Sequence, residues 1–429
     1  MANIGRMLEA AGFQQLQEKE EWKLEKGGRY YTERNDSSVI AFVIPEKEVG
    51  IRGFHMAAAH SDSPCFKIKE KPELTVEEHY LRLNTEKYGG MILSTWLDRP
   101  LSVAGRLAVK NGNGIEGRLV NIDRDLCVIP NVAIHMNREM NKGVEYNPQV
   151  DLLPLLADVS FDEYDAHTTY DAQTASENAE EQPEAVEKPT LVALAAETAG
   201  VDAETILGED LFLYTRQEGK MIGAKGEFVL SPRLDDLQSA FALTKAFTES
   251  SPSEYINVWV VFDNEEVGSG TRQGADSTFL EDILQRIAEG LQADHSSYLR
   301  WVADSFLISA DNAHAVHPNH PEKADPTNRP YLNGGIVIKY HGSQKYTTDG
   351  ISAARMKDYC ERAKVPYQTY ANRSDIAGGS TLGNISTAHV SVSSVDIGLP
   401  QLAMHSAVET AGMKDTEYAV RALKEFWGE

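Results

Sequence analysis

The chain has 429 residues, and 41% of them are hydrophobic, which is enough for a large core divided between two domains. Its formal net charge of −24 argues against nucleic acid and anionic membranes as partners, because phosphate groups are bound by basic patches. The three cysteines stand far apart, so neither a disulfide framework nor a cysteine-rich zinc site is expected. The N-terminus lacks the apolar region of a signal peptide, and no apolar run is long enough to span a membrane, so we expect a cytoplasmic protein.

A predicted strand covers Ile51 to Ala59, and side chains that could bind a metal follow its end. His60 follows it directly, and Asp62 comes two residues later, on the same side of an extended segment. Open α/β sheets place their ligands at the carboxyl ends of strands. His60 is therefore a candidate metal ligand, and Asp62 is placed to accept a hydrogen bond from the ring nitrogen that the metal leaves free.

A long stretch without candidate ligands separates this motif from the remaining ones and predicts an inserted domain. Its first half contains short β-like runs, whereas residues 161–190 are polar, acidic and too poor in large apolar side chains to pack. We expect a discontinuous, mixed-sheet α/β catalytic domain at residues 1–92 and 226–429. A β-rich domain at residues 93–225 interrupts it and carries an exposed acidic excursion near 161–190.

An aspartate pair opens the predicted helix Leu237 to Phe247, whose apolar residues recur at helical spacing. Asp235 is a candidate ligand at that helix start. The alternative is a simple helix cap, and Asp236 is the better cap if Asp235 binds a metal.

The run Ile256 to Phe262 is rich in β-branched and aromatic residues and predicts a buried strand, soon followed by Glu265 and Glu266. Neighbouring carboxylates repel each other and are costly to desolvate together, and a bound cation removes that cost. Such a turn is usually a solvated surface loop. Its position after a buried strand favours a pair in which one glutamate holds a metal and the other transfers protons.

Two more predicted strands end near possible ligands, namely Asp311 after the strand that ends at Ala310, and His405 after the strand that ends at Leu399. Two zinc ions about 3.5–4 Å apart need one bridging carboxylate and can share an activated water. The residues fit such a two-metal hydrolytic site. The inventory is two histidines (His60, His405), a bridging aspartate (Asp235), two terminal carboxylates (Glu266, Asp311) and a spare glutamate (Glu265).

Several other residues have both a functional and a structural interpretation. Lys339, in a predicted strand, is either a surface lysine or a partner for a substrate carboxylate. His314 belongs to a histidine-rich segment that prolines assign to a loop, and it is a candidate substrate contact. The glycine-rich residues 376–383 lack the ending of a phosphate loop and predict close backbone approach near a substrate. Cys65 is predicted to be a packing residue.

Five segments resemble, in order and at compatible spacing, the motifs of the M18 aminopeptidases of bacterial type, the aspartyl aminopeptidase family of metallopeptidases. The resemblance covers nearly the whole chain, from Phe13 to Phe426. The segments are His60–Pro64, Ser231–Asp235, Asp263–Ser269, Ser309–Asn319 and Gln401–Ser406.

The resemblance implies a role for each candidate. The implied ligand sets are His60, Asp235 and Asp311 for one zinc ion and Asp235, Glu266 and His405 for the other. Glu265 is implied to be the general base and Asp62 to orient His60. Two zinc ions per subunit are expected, with Co²⁺ or Mn²⁺ able to replace them. In one departure from the family, Asp236 stands where an asparagine usually follows the bridging aspartate.

The resemblance also implies a reaction and an assembly. The enzyme is expected to hydrolyse the N-terminal residue from peptides, with a preference for Asp or Glu. An acidic side chain needs a cation facing it, and Lys339 is the candidate, with His314 as a weaker one. The inserted domain is expected to form homodimers that assemble into a dodecamer. His135, within that domain, is implied to reach the active site of a neighbouring subunit.

Three other functions stay open at this stage. The same ligand types serve related cocatalytic zinc hydrolases, such as a carboxypeptidase or an N-acyl deacylase. A glutamyl aminopeptidase of another branch is the second alternative. The third is an inactive scaffold or cargo protein with the same fold, and the presence of Glu265 beside a full ligand set argues against it.

Overall fold

The computed structural model describes residues 1–46, 50–159, 190–252, 254–379 and 381–429. The chain divides into two compact units. The first combines Met1–Ser63 with Glu218–Glu429, and the second is Pro64–Gln217. The predicted acidic excursion lies outside the described residues, except for Thr190 at its end.

The second unit begins earlier than the sequence analysis predicted, at Pro64 instead of residue 93. The reason is strand pairing. Segments Cys65–Val76 and Tyr80–Tyr88 form a hairpin, and both pair with other strands of the inserted unit. The unit also ends earlier, at Gln217 instead of residue 225. The sequence shows strand character in this region but does not reveal which sheet the strands join.

Twenty strands and eight α-helices make up the described fold. The strands are β1 (Gln14–Gln15), β2 (Arg29–Arg34), β3 (Ser38–Val43), β4 (Gly53–His60), β5 (Cys65–Val76), β6 (Tyr80–Tyr88), β7 (Leu101–Asn111), β8 (Gly114–Asn121), β9 (Leu155–Asp158), β10 (Ile206–Thr215), β11 (Lys220–Ile222), β12 (Phe228–Ser231), β13 (Tyr255–Phe262), β14 (Phe306–Ala310), β15 (Ala313–His314), β16 (Ile336–Tyr340), β17 (Tyr367–Ala371), β18 (Ser393–Gly398), β19 (Pro400–Leu402) and β20 (Glu409–Gly412). The helices are α1 (Ala2–Ala10), α2 (Leu191–Ala199), α3 (Leu234–Thr248), α4 (Phe279–Gly290), α5 (His295–Ala303), α6 (Gly350–Ala363), α7 (Leu382–His389) and α8 (Asp415–Trp427). Among the described residues, none of the helices is both long and apolar enough to cross a membrane.

The first unit is built on a nine-stranded mixed sheet in the order β1-β2-β3-β13-β4-β14-β18-β16-β17. Its central strands β13, β4, β14 and β18 are parallel to their neighbours within that group. Alternate residues of β13 join two separate cores, with Trp259 in one and Val260 in the other. Helices cover both faces, so the strand is buried on both sides and its sequence is continuously apolar. The predicted mixed-sheet α/β class is correct.

The first unit also contains a five-stranded sheet in the order β11-β12-β20-β19-β15. The central strand β20 is antiparallel to both β12 and β19. The second unit is β-rich, with a six-stranded sheet in the order β8-β7-β10-β5-β6-β9 in which each neighbouring pair is antiparallel.

Candidate metal centre

Three neighbouring strands bring candidate ligands to one edge of the large sheet. His60 is the last residue of β4 and lies opposite Phe262, the last residue of β13. Glu265 and Glu266 follow β13 in a short 3-10 turn. Asp311 follows β14, which runs parallel to β4. Because parallel strands end at the same edge, side chains that are far apart in the sequence meet there.

Asp235 enters this group from the start of α3. Its backbone is non-helical, with φ −82° and ψ 111°, and the following Asp236 is non-helical as well. One carboxylate oxygen of Asp235 lies 3.7 Å from His60 Nε2, and the other lies 3.3 Å from His405 Nε2. Asp235 is therefore directed at two imidazoles instead of at helix N–H groups.

The donor atoms form overlapping clusters of metal-binding size. In each cluster the ligand atoms lie within 4.8 Å of one another. The clusters are His60, Asp235 and Asp311; Asp235, Glu266 and His405; and His60, Glu265 and Glu266. The first two have the composition of the ligand sets that the family resemblance implies, and Asp235 belongs to both.

Burial makes this concentration of carboxylates unfavourable without a cation. Desolvation raises the pKa of Glu266 to about 9, although His405 opposes the shift. Desolvation also raises the pKa of Asp311. The pKa of Asp235 is lowered, because its two histidine contacts outweigh its own burial.

Two carboxylate oxygens supply a direct test of whether the residues fit a metal. Asp235 Oδ1 and Glu266 Oε1 are buried, and no described residue gives either a hydrogen bond. Buried polar atoms normally have hydrogen-bond partners, so two carboxylate oxygens without one in the same cluster suit a bound cation. Imidazole nitrogen and carboxylate oxygen are ligands that zinc accepts. The residues therefore fit the group.

Asp62 supports the centre in a way that the sequence analysis missed. Its two carboxylate oxygens accept the backbone N–H groups of Glu265 and Glu266, each at 3.1 Å. His60 Nδ1 lies 3.1 Å from the backbone oxygen of Asp62 and 3.4 Å from Asp62 Oδ1. Asp62 thus lies beside Nδ1 of His60 and also fixes the glutamate turn.

Asp236 does not simply cap the helix. It is fully buried, and its Oδ2 accepts the backbone N–H of His60 at 3.3 Å. Desolvation and the charges of Asp311 and Asp235 raise the pKa of Asp236 well above its ordinary value.

A recess of about 320 Å³ opens beside these residues, and its lining includes Glu265, Asp311, His314, Lys339, Tyr346 and His405. Lys339 is 2% exposed, and its ammonium group donates to the backbone oxygen of Asp311 at 2.8 Å. Burial lowers the pKa of Lys339, but the charge of Asp311 together with those of Tyr346, Asp396 and Asp235 outweighs this effect, and the net shift is upward. The pKa of His314 is lowered by desolvation and by the charge of Lys339.

Two residues singled out in the sequence lie in the second unit. His135 is exposed, on the segment between β8 and β9. Cys65 begins β5. His135 does not directly follow a predicted strand as the candidate ligands do. Its role was implied by the family resemblance alone.

Comparison with known proteins identifies relatives of the whole chain. A family model described as Aminopeptidase I zinc metalloprotease (M18) matches residues 1–427. A probable M18 family aminopeptidase 2 of Clostridium novyi is 47% identical over 426 residues, which cover 99% of this chain and 93% of that protein. A protein of the same description from Pseudomonas entomophila is 39% identical over 427 residues, again covering 99% and 93%.

Solved structures show the same fold. A cryo-EM structure of an Ape4 and Nbr1 complex contains a chain that is 37% identical, with a TM-score of 0.90, covering 99% of this chain and 81% of that one. The mApe1 dodecamer of S. cerevisiae is 25% identical, with a TM-score of 0.81 and coverage of 99% and 91%.

The shared position of Asp235 generates a prediction about metal content. Asp235→Ala should reduce zinc binding at both ligand sets, whereas His405→Ala should mainly empty one, because a bridging ligand serves two ions and a terminal ligand serves one. Zinc per subunit is measured by mass spectrometry on the purified variants.

Matched controls are available in an aspartate–histidine pair of the first unit. His389 Nε2 lies 2.9 Å from Asp276 Oδ1 on the exposed surface. Asp276→Ala and His389→Ala should keep the zinc content of the unmodified protein. Equal losses from a single set in Asp235→Ala and His405→Ala would contradict the bridging assignment.

Proposed function

The chain belongs to the M18 family of zinc aminopeptidases, and we propose that it is a di-zinc enzyme in which Glu265 is the general base. The observation that supports two ions is the presence of Asp235 in two adjacent ligand sets. A match to aminopeptidases along residues 1–427 does not favour a carboxypeptidase, a deacylase or an inactive scaffold. The acidic composition and the scattered cysteines of the sequence support a place in the cytoplasm.

When bound, zinc supplies Lewis-acid chemistry: it acidifies a water molecule and polarises a carbonyl oxygen. His60, Asp235 and Asp311 would hold one ion, and Asp235, Glu266 and His405 the other. Glu265 is left over once these sets are assigned, and it lines the recess. Asp62 holds the backbone N–H of Glu265, so the carboxylate is attached to a fixed turn.

The proposed role of Glu265 is proton transfer. Its carboxylate takes a proton from the attacking water and then delivers it to the nitrogen of the leaving peptide. Desolvation raises the pKa of Glu265 to about 7, so burial in the recess disfavours a permanently ionised side chain. A group that transfers protons must gain and lose them easily. Burial raises the pKa of a carboxyl group and a nearby cation lowers it, and the balance of the two effects can provide such a group.

Glu265→Gln should keep both metals and lower kcat by about 10²–10⁴-fold or more, since a general base usually contributes a factor in that range. The amide preserves shape but cannot accept the proton. Steady-state kinetics and zinc content are measured on the same preparation. Glu289→Gln makes the same change at an exposed glutamate and should leave kcat unchanged. Normal turnover in a metal-replete Glu265→Gln protein would remove Glu265 from this role.

The proposed substrate is a peptide with a free N-terminal amine and an acidic first residue. Lys339 supports this preference because it places a buried positive charge on the wall of the recess. A carboxylate that leaves water needs a cation nearby, since burial without one is costly. His314 lines the same recess and is proposed as a weaker substrate contact.

Aminoacyl substrates with Asp, Glu, Leu and Lys should differ in kcat/KM, with Asp or Glu ahead by about tenfold, or ~1.4 kcal/mol of transition-state discrimination. An N-acetylated form of the best substrate serves as the control and should not be cleaved. A tenfold advantage for Leu or Lys would overturn the acidic preference and leave the aminopeptidase activity in place.

The proposed assembly is a homododecamer built through the second unit. The similarity to the mApe1 dodecamer of S. cerevisiae supports it. A second support is the segment around His135, where Val132, Ile134 and Met136 are 51%, 44% and 82% exposed. Exposed apolar side chains grouped in this way are typical of protein interfaces. We propose that His135 reaches the metal centre of a neighbouring subunit.

Light scattering on the purified protein should give the mass of twelve chains. His135→Ala should lower kcat/KM in particles of unchanged mass, because the neighbouring site loses a side chain. His79→Ala, at another exposed histidine of the second unit, is the matched control and should keep full activity. A fully active monomer would exclude the proposed assembly.

A further inference from the structure

Glu409 is a buried carboxylate that the ligand sets leave unused. It is the first residue of β20 and is 2% exposed. One of its oxygens accepts the backbone N–H of Asp235 at 2.9 Å, and the other accepts the backbone N–H of His405 at 2.7 Å. A single side chain therefore holds the main chain of two residues from one ligand set.

The five-stranded sheet explains how one residue can reach both. Strand β20 lies between β12 and β19 and is antiparallel to each. Glu409 pairs with Ser231, the last residue of β12, and its neighbour Thr410 pairs with Leu402, the last residue of β19. The chain continues from β12 to Asp235 and from β19 to His405. Glu409 thus lies where the two ligand-bearing segments leave the sheet.

The backbone at both ligands needs such support because regular structure does not supply it. Asp235 is non-helical although it stands at the start of α3. His405 has φ +66°, in the left-handed region that residues with a Cβ atom rarely adopt. Neither N–H group belongs to a strand ladder or a regular helix. The carboxylate of Glu409, which accepts both N–H groups, therefore fixes the position of the main chain at Asp235 and at His405.

We propose that Glu409 is a positioning residue that sets the spacing of Asp235 and His405 and thereby the affinity of the centre for zinc. The inference rests on the proposed di-zinc function. Groups that orient metal ligands without touching the metal typically change metal affinity or activity by about 10–100-fold when they are mutated. A carboxylate suits the task because each of its oxygens accepts one N–H, whereas an amide offers one oxygen and turns its NH₂ group toward the second N–H.

The test compares zinc affinity in Glu409→Gln and the unmodified protein by competition with a chromophoric chelator. Affinity should fall by about 10–100-fold. The absorption spectrum of the Co²⁺-substituted protein should also change, because the geometry around Asp235 and His405 changes. Neither result is expected from a residue that only stabilises the fold.

Asp415 provides a closely matched control. It too is fully buried, and its carboxylate accepts two backbone N–H groups, those of Asn333 at 2.7 Å and Gly335 at 2.9 Å, outside the ligand sets. Asp415→Asn should lower Tm, as Glu409→Gln should, but it should keep normal zinc affinity. Normal affinity in Glu409→Gln, or an equal loss in Asp415→Asn, would overturn the proposal.

A folding failure would not leave the proposal untested. If circular dichroism shows that Glu409→Gln is unfolded, Glu409→Asp takes its place, since the shorter side chain cannot hold both N–H groups at once. Reduced zinc affinity in that variant supports the proposal, and normal affinity overturns it. An unmodified protein that neither binds zinc nor cleaves peptides would instead refute the proposed function, so the two failures are distinguishable.

Discussion

The structure of the first unit depends on one electrostatic constraint, the burial of several carboxylates within a few ångströms of each other. For Glu266, a pKa raised from 4.5 to about 9 corresponds to a penalty on the order of 6 kcal/mol for the ionised form when no cation offsets its charge, at ~1.4 kcal/mol per pK unit. A whole domain is typically stable by only about 5–15 kcal/mol. The cluster is therefore unfavourable unless cations and hydrogen-bond donors offset its charge.

The fold supplies those compensating groups from several distant elements. His60 and His405 give imidazoles, and Lys339 gives an ammonium group. Two carboxylates, Asp62 and Glu409, act on the main chain of the ligand segments, since each accepts two N–H groups. Both arrangements depend on where strands of the two sheets end. The position of each ligand therefore follows from the pairing of strands more than from local sequence.

This dependence explains which parts the sequence could predict. The candidate ligands could be predicted because each stands shortly after an apolar run or at the start of an apolar helix, a signal that is local in the sequence. The division into two ligand sets came from the family resemblance, and two of the residue clusters in the structure have the same members. The contact of Glu409 with Asp235 and that of Asp62 with Glu265 could not be predicted, because they join residues 174 and 203 positions apart, respectively. The boundary at Pro64 was missed for the same reason, since strand character does not identify the partner strand.

The same constraint would limit the proposed contact between Lys339 and a substrate carboxylate. Its ammonium group has three donors, and three acceptors already lie within 3.5 Å: the backbone oxygen and Oδ2 of Asp311 and the backbone oxygen of Asn312. An incoming carboxylate must share a donor or interact at longer range. At ~5 Å and an effective dielectric constant of ~20, one pair of charges contributes about 3 kcal/mol before desolvation of the substrate is subtracted. The carboxylate of Asp311 offsets part of the positive charge of Lys339. The proposed preference for acidic first residues would therefore be graded instead of absolute, and peptides with neutral first residues would still be cleaved.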